Sequence, residues 1–434
     1  MSELSRAGAA AAAPDSGLLG WYRELDTKER RTLKACVGGW ALDAMDAQLY
    51  AFVIPALISV WGISRGEAGQ LQTAALLTSA AGGWLAGFLA DRIGRVRTLQ
   101  IAILWFAGFT FLSGLAPNYT QLFVCRALMG FGFGGEWAAG AVLLGETIRA
   151  QHRGKALGSM QAGWAVGWAA VAALSTLAFQ YMEPDTAWRA LFMIGLVPAL
   201  LVFVIRRYVG DSEVYRESQA RIRAGVEARP SFWEIFQGPL LRTTLLGAVM
   251  GTGAQGGYWA VTTWLPTFLR TPVAEGGRGL SVLNTGGYLT VLIAASFAGY
   301  MTGAYLADRI GRRATFLFFA VGACAVVLTY TMVPFGDGAM LALGAPLGFS
   351  SSGVFSAMGV FFTEQFPTRV RGVGQGFAYN FGRATGAFFP MLVGLLSGTM
   401  GLGPAIGAFA AGAYAIMAVA AFALPETRGK VLTA

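Results

Sequence analysis

The heptapeptide LADRIGR occupies residues 89–95 and recurs, letter for letter, at residues 306–312. The two copies lie 217 residues apart, half the length of the 434-residue chain. A second echo runs through Glu146, Arg153, Gly154 and Gly158 and returns as Glu364, Arg371, Gly372 and Gly376, offset by 218. Two chain halves of the same construction and orientation are therefore expected, joined near the middle.

Composition fixes what those halves are made of. Hydrophobic residues form 55% of the chain and charged residues 13%, whereas a soluble domain carries about 25% charged residues. Such a chain cannot clothe a water-facing surface. The 60 glycines follow no three-residue period, which excludes collagen, and they suit membrane helices, where small residues let backbones approach. The expected fold class is an all-α membrane protein.

Apolar runs of about 20 residues occur twelve times, at 33–60, 68–90, 98–116, 119–146, 156–181 and 188–208, then at 241–269, 283–306, 314–334, 338–366, 373–397 and 402–424. Twelve transmembrane helices are read from them, as two six-helix bundles over 33–208 and 241–425 in a pseudo-twofold arrangement. A tail at 1–32, a charged linker at 209–240 and a second tail at 426–434 complete the expected organisation. The alanine-rich stretch at 7–13 is followed by the charged WYRELDTKERRTLK, so a retained tail is expected there and not a cleaved signal.

Alternate loops separate the cations sharply. In the loops and at the span ends, one side holds only Arg65, Arg189, Arg270 and Arg278, while the other holds most of the remaining Lys and Arg. Cationic loops stay in the cytoplasm, which predicts cytoplasmic termini and explains the net charge of +9 without nucleic acid as a partner. The expected location is the bacterial inner membrane. Cys36, Cys125 and Cys324 lie in apolar runs without ligand spacing, and the sole histidine, His152, sits in a basic loop. Neither metal nor cofactor is expected. The glycine triplets starting at Gly130 and Gly251 fit a dinucleotide fingerprint by letter, but they follow no strand and lie in apolar spans, where helix packing is the expected role. HExxH and GxSxG are both absent, so an intramembrane enzyme is disfavoured.

Five strongly ionisable residues fall well inside spans: Asp43, Asp46, Arg126, Glu136 and Arg383. A charge at a helix centre costs about 2.5–3.5 kcal/mol. Asp43, Glu136 and Arg383 each lie ten residues from an inner span end, which places them about 15 Å deep, near the middle of a ~30 Å core. Asp46 is one turn beyond Asp43, and Arg126 lies nearer the outer face. A charged site shared by several helices at the midplane is expected, with Asp43, Asp46 and Glu136 as proton-coupling residues. A carboxyl group removed from water favours its neutral form, which suits a proton that must be exchanged. Arg383 would hold a substrate anion, with Asn380, Tyr379, Gln255, Tyr258, Trp259, Gln161, Trp164 and Arg126 shaping the pocket. The alternative, that the charges pair as scaffold, stays open at this level.

These motifs resemble a known family. GFLADRIGRVR resembles the loop signature between helices 2 and 3 of the major facilitator superfamily, RALMGFGFG is similar to its helix-4 motif, and PETRG at 425–429 looks like its usual ending. GGEWAAG around Glu136 and the helix-1 aspartates resemble the sialate, aromatic-acid and metabolite proton-symporter branches. The aromatic-acid pattern Asp-Gly-x-Asp reads here as Asp43-Ala44-Met45-Asp46, which leaves the branch and the substrate open. The resemblance implies a secondary active transporter, a proton symporter taking up a small organic anion such as a mono- or aromatic carboxylate, working as a monomer by alternating access. A proton-driven exporter of drugs or sugars and a non-transporting sensor are the rival readings. It also implies a cytoplasmic gate of Gly87, Asp91, Arg92, Arg95, Glu146 and Arg153 in the first half. Asp308, Arg309, Arg312, Glu364 and Arg371 are its counterparts in the second.

Overall fold

The computed structural model describes residues 20–149, 152–197, 199–200, 231–367 and 370–428, the side chains of 91, 95, 136–139, 141–142, 146 and 153–154 excepted. Most of the tail expected at 1–32, residues 209–230 of the linker expected at 209–240, the end of the sixth span and the last six residues lie outside that set. The first half runs through α1 (Gly20–Glu24), α2 (Thr27–Trp61), α3 (Arg65–Ile93), α4 (Arg95–Gly114), α5 (Tyr119–Thr147), α6 (Arg153–Tyr181) and α7 (Pro184–Ile194). A 3-10 turn at Phe232–Phe236 precedes α8 (Pro239–Arg270), α9 (Val282–Ile310), α10 (Arg312–Met332), α11 (Asp337–Gly353) and α12 (Met358–Gln365). The chain ends in α13 (Arg371–Gly386), α14 (Phe388–Met400) and α15 (Leu402–Ala423).

Eight described stretches are long and apolar enough to cross a membrane: α2, α3, α4, α6, α9, α10 and α15, together with 337–365, which joins α11 to α12. Short interruptions divide two spans. One turn at 354–357 separates α11 from α12, and Ala387 separates α13 from α14. Pro390 explains the second, because its ring removes one backbone donor from the turn. Thr73 of α3 hydrogen-bonds the Ala387 carbonyl at 2.6 Å, and Trp264 of α8 hydrogen-bonds the Pro390 carbonyl at 2.9 Å.

The sequence repeat is reproduced contact by contact. Gly94 and Gly311, the glycines of the two LADRIGR copies, take φ of 103° and 100°, conformations that only glycine adopts without strain. Thr98 and Thr315 each hydrogen-bond the carbonyl of that glycine at 2.8 Å. Ser64 and Ser281, 217 residues apart, cap α3 and α9. A methyl on Gly82 would strike the Phe131 carbonyl, and one on Gly299 would strike the Phe349 carbonyl. Gly130 meets the Ala75 carbonyl as Gly348 meets that of Leu292. These glycines let α3 pack backbone to backbone on α5, and α9 on α11. With α4 packed on α5 and α2 on α6 in one half, and α8 packed on α13 and α15 in the other, two helical bundles result.

The bundles meet along three seams: α2 against α8, α3 against α13 and α14, and α6 against α9. The last two seams are equivalent under the repeat. On the face opposite the termini the contact is close. A methyl on Gly69 would lie 2.7 Å from Met391 Cα, and Arg65 pairs with Glu275 at 3.3 Å. Toward the terminal face the α3–α13 seam opens into ring contact, with Trp84 stacked on Phe377 at 6.4 Å between centroids.

Before α2 enters the membrane, Glu29 closes a capping box with Asp26 and binds Arg149, beyond the end of α5, through both guanidinium and backbone N–H. Burial would raise the Glu29 carboxyl, but the bonds from Arg149 and from the Asp26 N–H outweigh it and hold the group at about 2, below the ordinary 4.5.

Two outcomes follow. Gly134→Val drives a side chain into the Ser79 carbonyl and is expected to cost about 1–3 kcal/mol or more, while Gly87→Ala, with open space at its Cβ, leaves thermal unfolding in detergent unchanged. A carboxyl held low stabilises the fold above its unfolded value and loses that contribution as pH falls through its folded value. The melting difference between wild type and Glu29→Gln should therefore stay constant from pH 8 down to about 5 and close between about 4 and 2.

Candidate functional site

The buried charges form two groups. The first lies within the N-terminal bundle. Asp43 and Asp46 of α2 are 0% and 2% exposed, and Arg126 of α5 is 1% exposed. Thr110 of α4 donates to Asp46 Oδ2 at 2.5 Å, while Asp46 Oδ1 has no hydrogen-bond partner. Gly195, just past α7, brings its backbone against that carboxylate, since a methyl there would lie 3.1 Å from Oδ1. Arg126 lies over the Tyr50 ring at 4.8 Å and the Phe192 ring at 5.8 Å, with Nη2 3.4 Å from Gln72 Oε1. Its Nε and Nη1 make no hydrogen bond. The charges of Asp46 and Arg126 act on one another, yet among the described residues no ion pair within 4.0 Å joins them. Helical spacing explains the cluster: Asp43, Asp46 and Tyr50 recur at three and four residues, which puts them on one side of α2.

The second group lies between the bundles. Arg383 of α13 is 3% exposed. Its guanidinium is clasped by the Phe133 ring at 5.2 Å and the Tyr379 ring at 5.0 Å, and Nη1 has no hydrogen-bond partner. A planar, permanently charged group suits such stacking. From Phe133 the aromatic wall continues to Trp164 at 6.2 Å, which touches Trp40 at 4.8 Å and Trp259 at 6.2 Å. The Tyr258 hydroxyl ties the bundles together, accepting from Trp164 Nε1 at 2.6 Å and from Gln48 Nε2 at 3.0 Å. Phe355, in the turn between α11 and α12, packs on the Tyr258 ring at 5.3 Å.

Around this wall, buried polar atoms remain without hydrogen bonds. Gln255 accepts from Trp259 Nε1 at 3.1 Å through Oε1, but its Nε2 is unused. Asn380 donates to the Gly376 carbonyl at 3.0 Å while its Oδ1, pressed against Gly83, is unused. Trp40 Nε1 is an idle donor, and Gln48 Oε1 and Gln161 Oε1 are idle acceptors. An unmet buried polar group costs about 1–3 kcal/mol, so this collection of idle groups is suited to a ligand that brings both charge and hydrogen-bonding atoms.

The sequence placed Asp43, Asp46, Glu136, Arg126 and Arg383 at a shared site. The geometry puts Asp46 with Arg126 inside one bundle, and Arg383 with Tyr379, Asn380, Gln255, Tyr258, Trp259 and Trp164 along the seam; Gln161 lies three residues before Trp164 on α6. The Glu136 side chain lies outside the described set. Phe133 is the bridge between the groups, since α5 carries it one turn from Met129 and two from Arg126. Sequence reasoning missed Gln48, Trp40, Phe133, Thr110, Tyr50 and Gln72. Gln48, a polar residue inside an apolar span, was open to the same argument that found the aspartates.

Of the second-half residues expected at a gate, Asp308, Arg312 and Glu364 form one network. Arg312 binds Glu364 through Nη2 at 2.9 Å and Nε at 3.1 Å, and binds Asp308 through Nη1 at 2.8 Å. Thr427 donates to Glu364 at 2.5 Å, and Glu426 accepts the N–H groups of Arg312, Arg313, Thr427 and Arg428, each at 2.9 Å. Burial works against the Glu426 charge, but those four donors hold its carboxyl below the ordinary value. Arg371 donates to the Thr363 carbonyl at 3.0 Å. Arg309 lies over Tyr305 at 4.6 Å and Arg92 over Phe88 at 4.0 Å. Gly87 faces open space. The side chains of Asp91, Arg95, Glu146 and Arg153 lie outside the described set.

Comparison with known proteins agrees with this architecture. Residues 37–390 match the model of the Major Facilitator Superfamily. A probable 4-methylmuconolactone transporter of Cupriavidus pinatubonensis is 42% identical over 413 residues, covering 95% of this chain and 94% of that protein. A cis,cis-muconate transport protein of Acinetobacter baylyi is 30% identical over 367 residues, covering 83% and 86%. Among solved structures, the proton:xylose symporter bound to 6-bromo-6-deoxy-D-glucose superposes with a TM-score of 0.69 at 17% identity, over 94% of this chain and 98% of that one. With its repeated loops, paired bundles and buried charges, the chain belongs to the Major Facilitator Superfamily, as a membrane transporter and not an enzyme.

Proposed function

We propose that the protein is a proton-coupled symporter that takes up a small organic anion, a mono- or aromatic carboxylate, with both termini in the cytoplasm. The observation that carries this reading is Arg383: a buried guanidinium on the seam between the bundles, clasped by two rings, with one nitrogen that makes no hydrogen bond among the described residues. A carboxylate is the complementary ligand, since charge-assisted bonds to a guanidinium are short and strong. The aromatic wall of Trp164, Trp259, Trp40 and Tyr258 supplies faces for a flat or apolar body. Relatives named for transport of muconate and 4-methylmuconolactone agree with that chemistry.

The proton belongs to the other group. Asp46, beside Thr110 and under the influence of Arg126, is the coupling residue in this reading, with Asp43 and Glu136 on its path. Neutral Asp46 releases Arg126 from an opposing charge; ionised Asp46 engages it. Such a change in pairing favours one arrangement of the bundle over another, which is how a local charge event biases a two-state element. The Arg312–Glu364–Asp308 network and its first-half counterpart are the elements that part and re-form as the cytoplasmic side opens.

Proteoliposomes test both roles. With an inside-alkaline gradient, the wild-type protein should accumulate a labelled aromatic carboxylate. Arg383→Gln should weaken apparent affinity about 10- to 100-fold, the equivalent of one charge-assisted hydrogen bond, and Arg383→Lys should recover only part of it because the planar stack is lost. Asp46→Asn should abolish gradient-driven accumulation while keeping substrate exchange at equal pH. Full accumulation by Asp46→Asn would remove the proton assignment, and unchanged affinity in Arg383→Gln would remove the anion assignment.

A further inference from the structure

Away from the seam, a cleft of about 450 Å³ opens at the terminal ends of α8, α10 and α15. Arg242 and Thr243 of α8, Arg313 of α10 and Phe422 of α15 line it. The transport reading gives these residues no task.

Two features of the cleft point to an anion. Arg313 is held in place, donating to the Phe422 carbonyl at 2.5 Å and lying over the Phe422 ring at 5.0 Å. Among the described residues, neither Arg313 nor Arg242 is paired with a carboxylate side chain. Glu426, which accepts the Arg313 backbone N–H, already receives four backbone N–H groups. Two arginines thus face one cleft with no carboxylate side chain, among the described residues, paired to either.

Two further features say that the anion carries hydrocarbon. Arg242, Leu245, Leu246 and Val249 recur at three and four residues, so one stripe of α8 runs from the arginine into an apolar face. Leu245 is 51% exposed, and Val419 and Phe422 on α15 are 71% and 65% exposed. In a membrane protein such residues meet acyl chains. Trp233, 69% exposed in the turn that precedes α8, sits where an indole marks the headgroup level. A cleft of this volume falls within the roughly 300–1,000 Å³ of small-molecule sites, and cationic pockets between membrane helices at an interface are suited to anionic lipid headgroups.

We propose that this cleft binds an anionic phospholipid, with the phosphodiester between Arg242 and Arg313 and the acyl chains lying along α8 and α15. Because α8 also carries Gln255, Tyr258 and Trp259, a lipid seated there steadies the terminal end of the helix that crosses the site.

Native mass spectrometry tests the proposal. Purified protein is exposed to an equimolar mixture of phosphatidylglycerol and phosphatidylcholine with identical chains. Wild type should retain phosphatidylglycerol in preference. Each of Arg242→Gln and Arg313→Gln should lower that retention about fivefold, the share of one arginine near an anionic surface, and the double variant further, whereas Arg92→Gln, at a different cationic surface, should not. Arg242 is exposed and makes no described hydrogen bond, so the single variant carries the test if the double variant unfolds. Equal retention of the two lipids, or undiminished phosphatidylglycerol on Arg242→Gln, would overturn the proposal. So would stabilisation of the detergent-purified protein by millimolar inorganic phosphate to the extent given by phosphatidylglycerol, because the site would then serve soluble phosphate.

Discussion

A charge carried into hydrocarbon must be given a partner, neutralised or used, and this constraint orders the whole molecule. Asp43, Asp46, Arg126 and Arg383 are buried in helices whose side chains are mostly apolar or small. At about 2.5–3.5 kcal/mol each, their placement is opposed by insertion and must be upheld by packing. The glycine contacts supply that packing. Where α3 meets α5 and α9 meets α11, backbone touches backbone, and neither pair can slide without collision. The charges are therefore held at set positions by closely packed helices, a condition that rigid-body rocking of one bundle against the other would require.

The two buried groups differ in kind. Asp46 and Arg126 are enclosed by one bundle, with Thr110, Tyr50 and Gln72 around them, so their state is a property of that bundle alone. Arg383, Tyr258, Gln48 and Trp164 join across the seam, so their state depends on how the bundles sit against each other. Phe133 of α5 touches the second group, and Arg126 two turns earlier belongs to the first. One helix thus couples an internal charge to an interfacial one. The far-face closure, through Gly69, Arg65 and Thr73, completes a molecule whose bundles are pinned at one side and joined through side chains toward the other.

Much of this was legible in the letters. The doubled LADRIGR already contained the positive-φ glycines, and three residues beyond each copy stands the threonine that bonds back to that glycine's carbonyl, because those features are local and need no knowledge of packing. The spans were legible because hydropathy reports the surrounding solvent. Depth was legible too, since rise per residue is fixed. Azimuth was not: each residue turns a helix by about 100°, so residues at one height can face different neighbours. That is why Asp46, one turn from the level that Asp43 shared with Arg383 in the sequence, belongs to a different group from Arg383 in space, and why Arg126, assigned there to the substrate, stands beside Asp46. The aromatic clasp of Arg383 was hidden for the same reason, since Phe133 looked like packing in a glycine-rich span.

The central claim is that Arg383 on the bundle seam receives a carboxylate among the tryptophans, and intrinsic fluorescence reads that event directly. Titrating the purified protein with an aromatic carboxylate should quench the emission of Trp164, Trp259 and Trp40 saturably, whereas the uncharged amide of the same acid should not. Equal quenching by acid and amide, or quenching that survives unchanged in Arg383→Gln, would contradict the account.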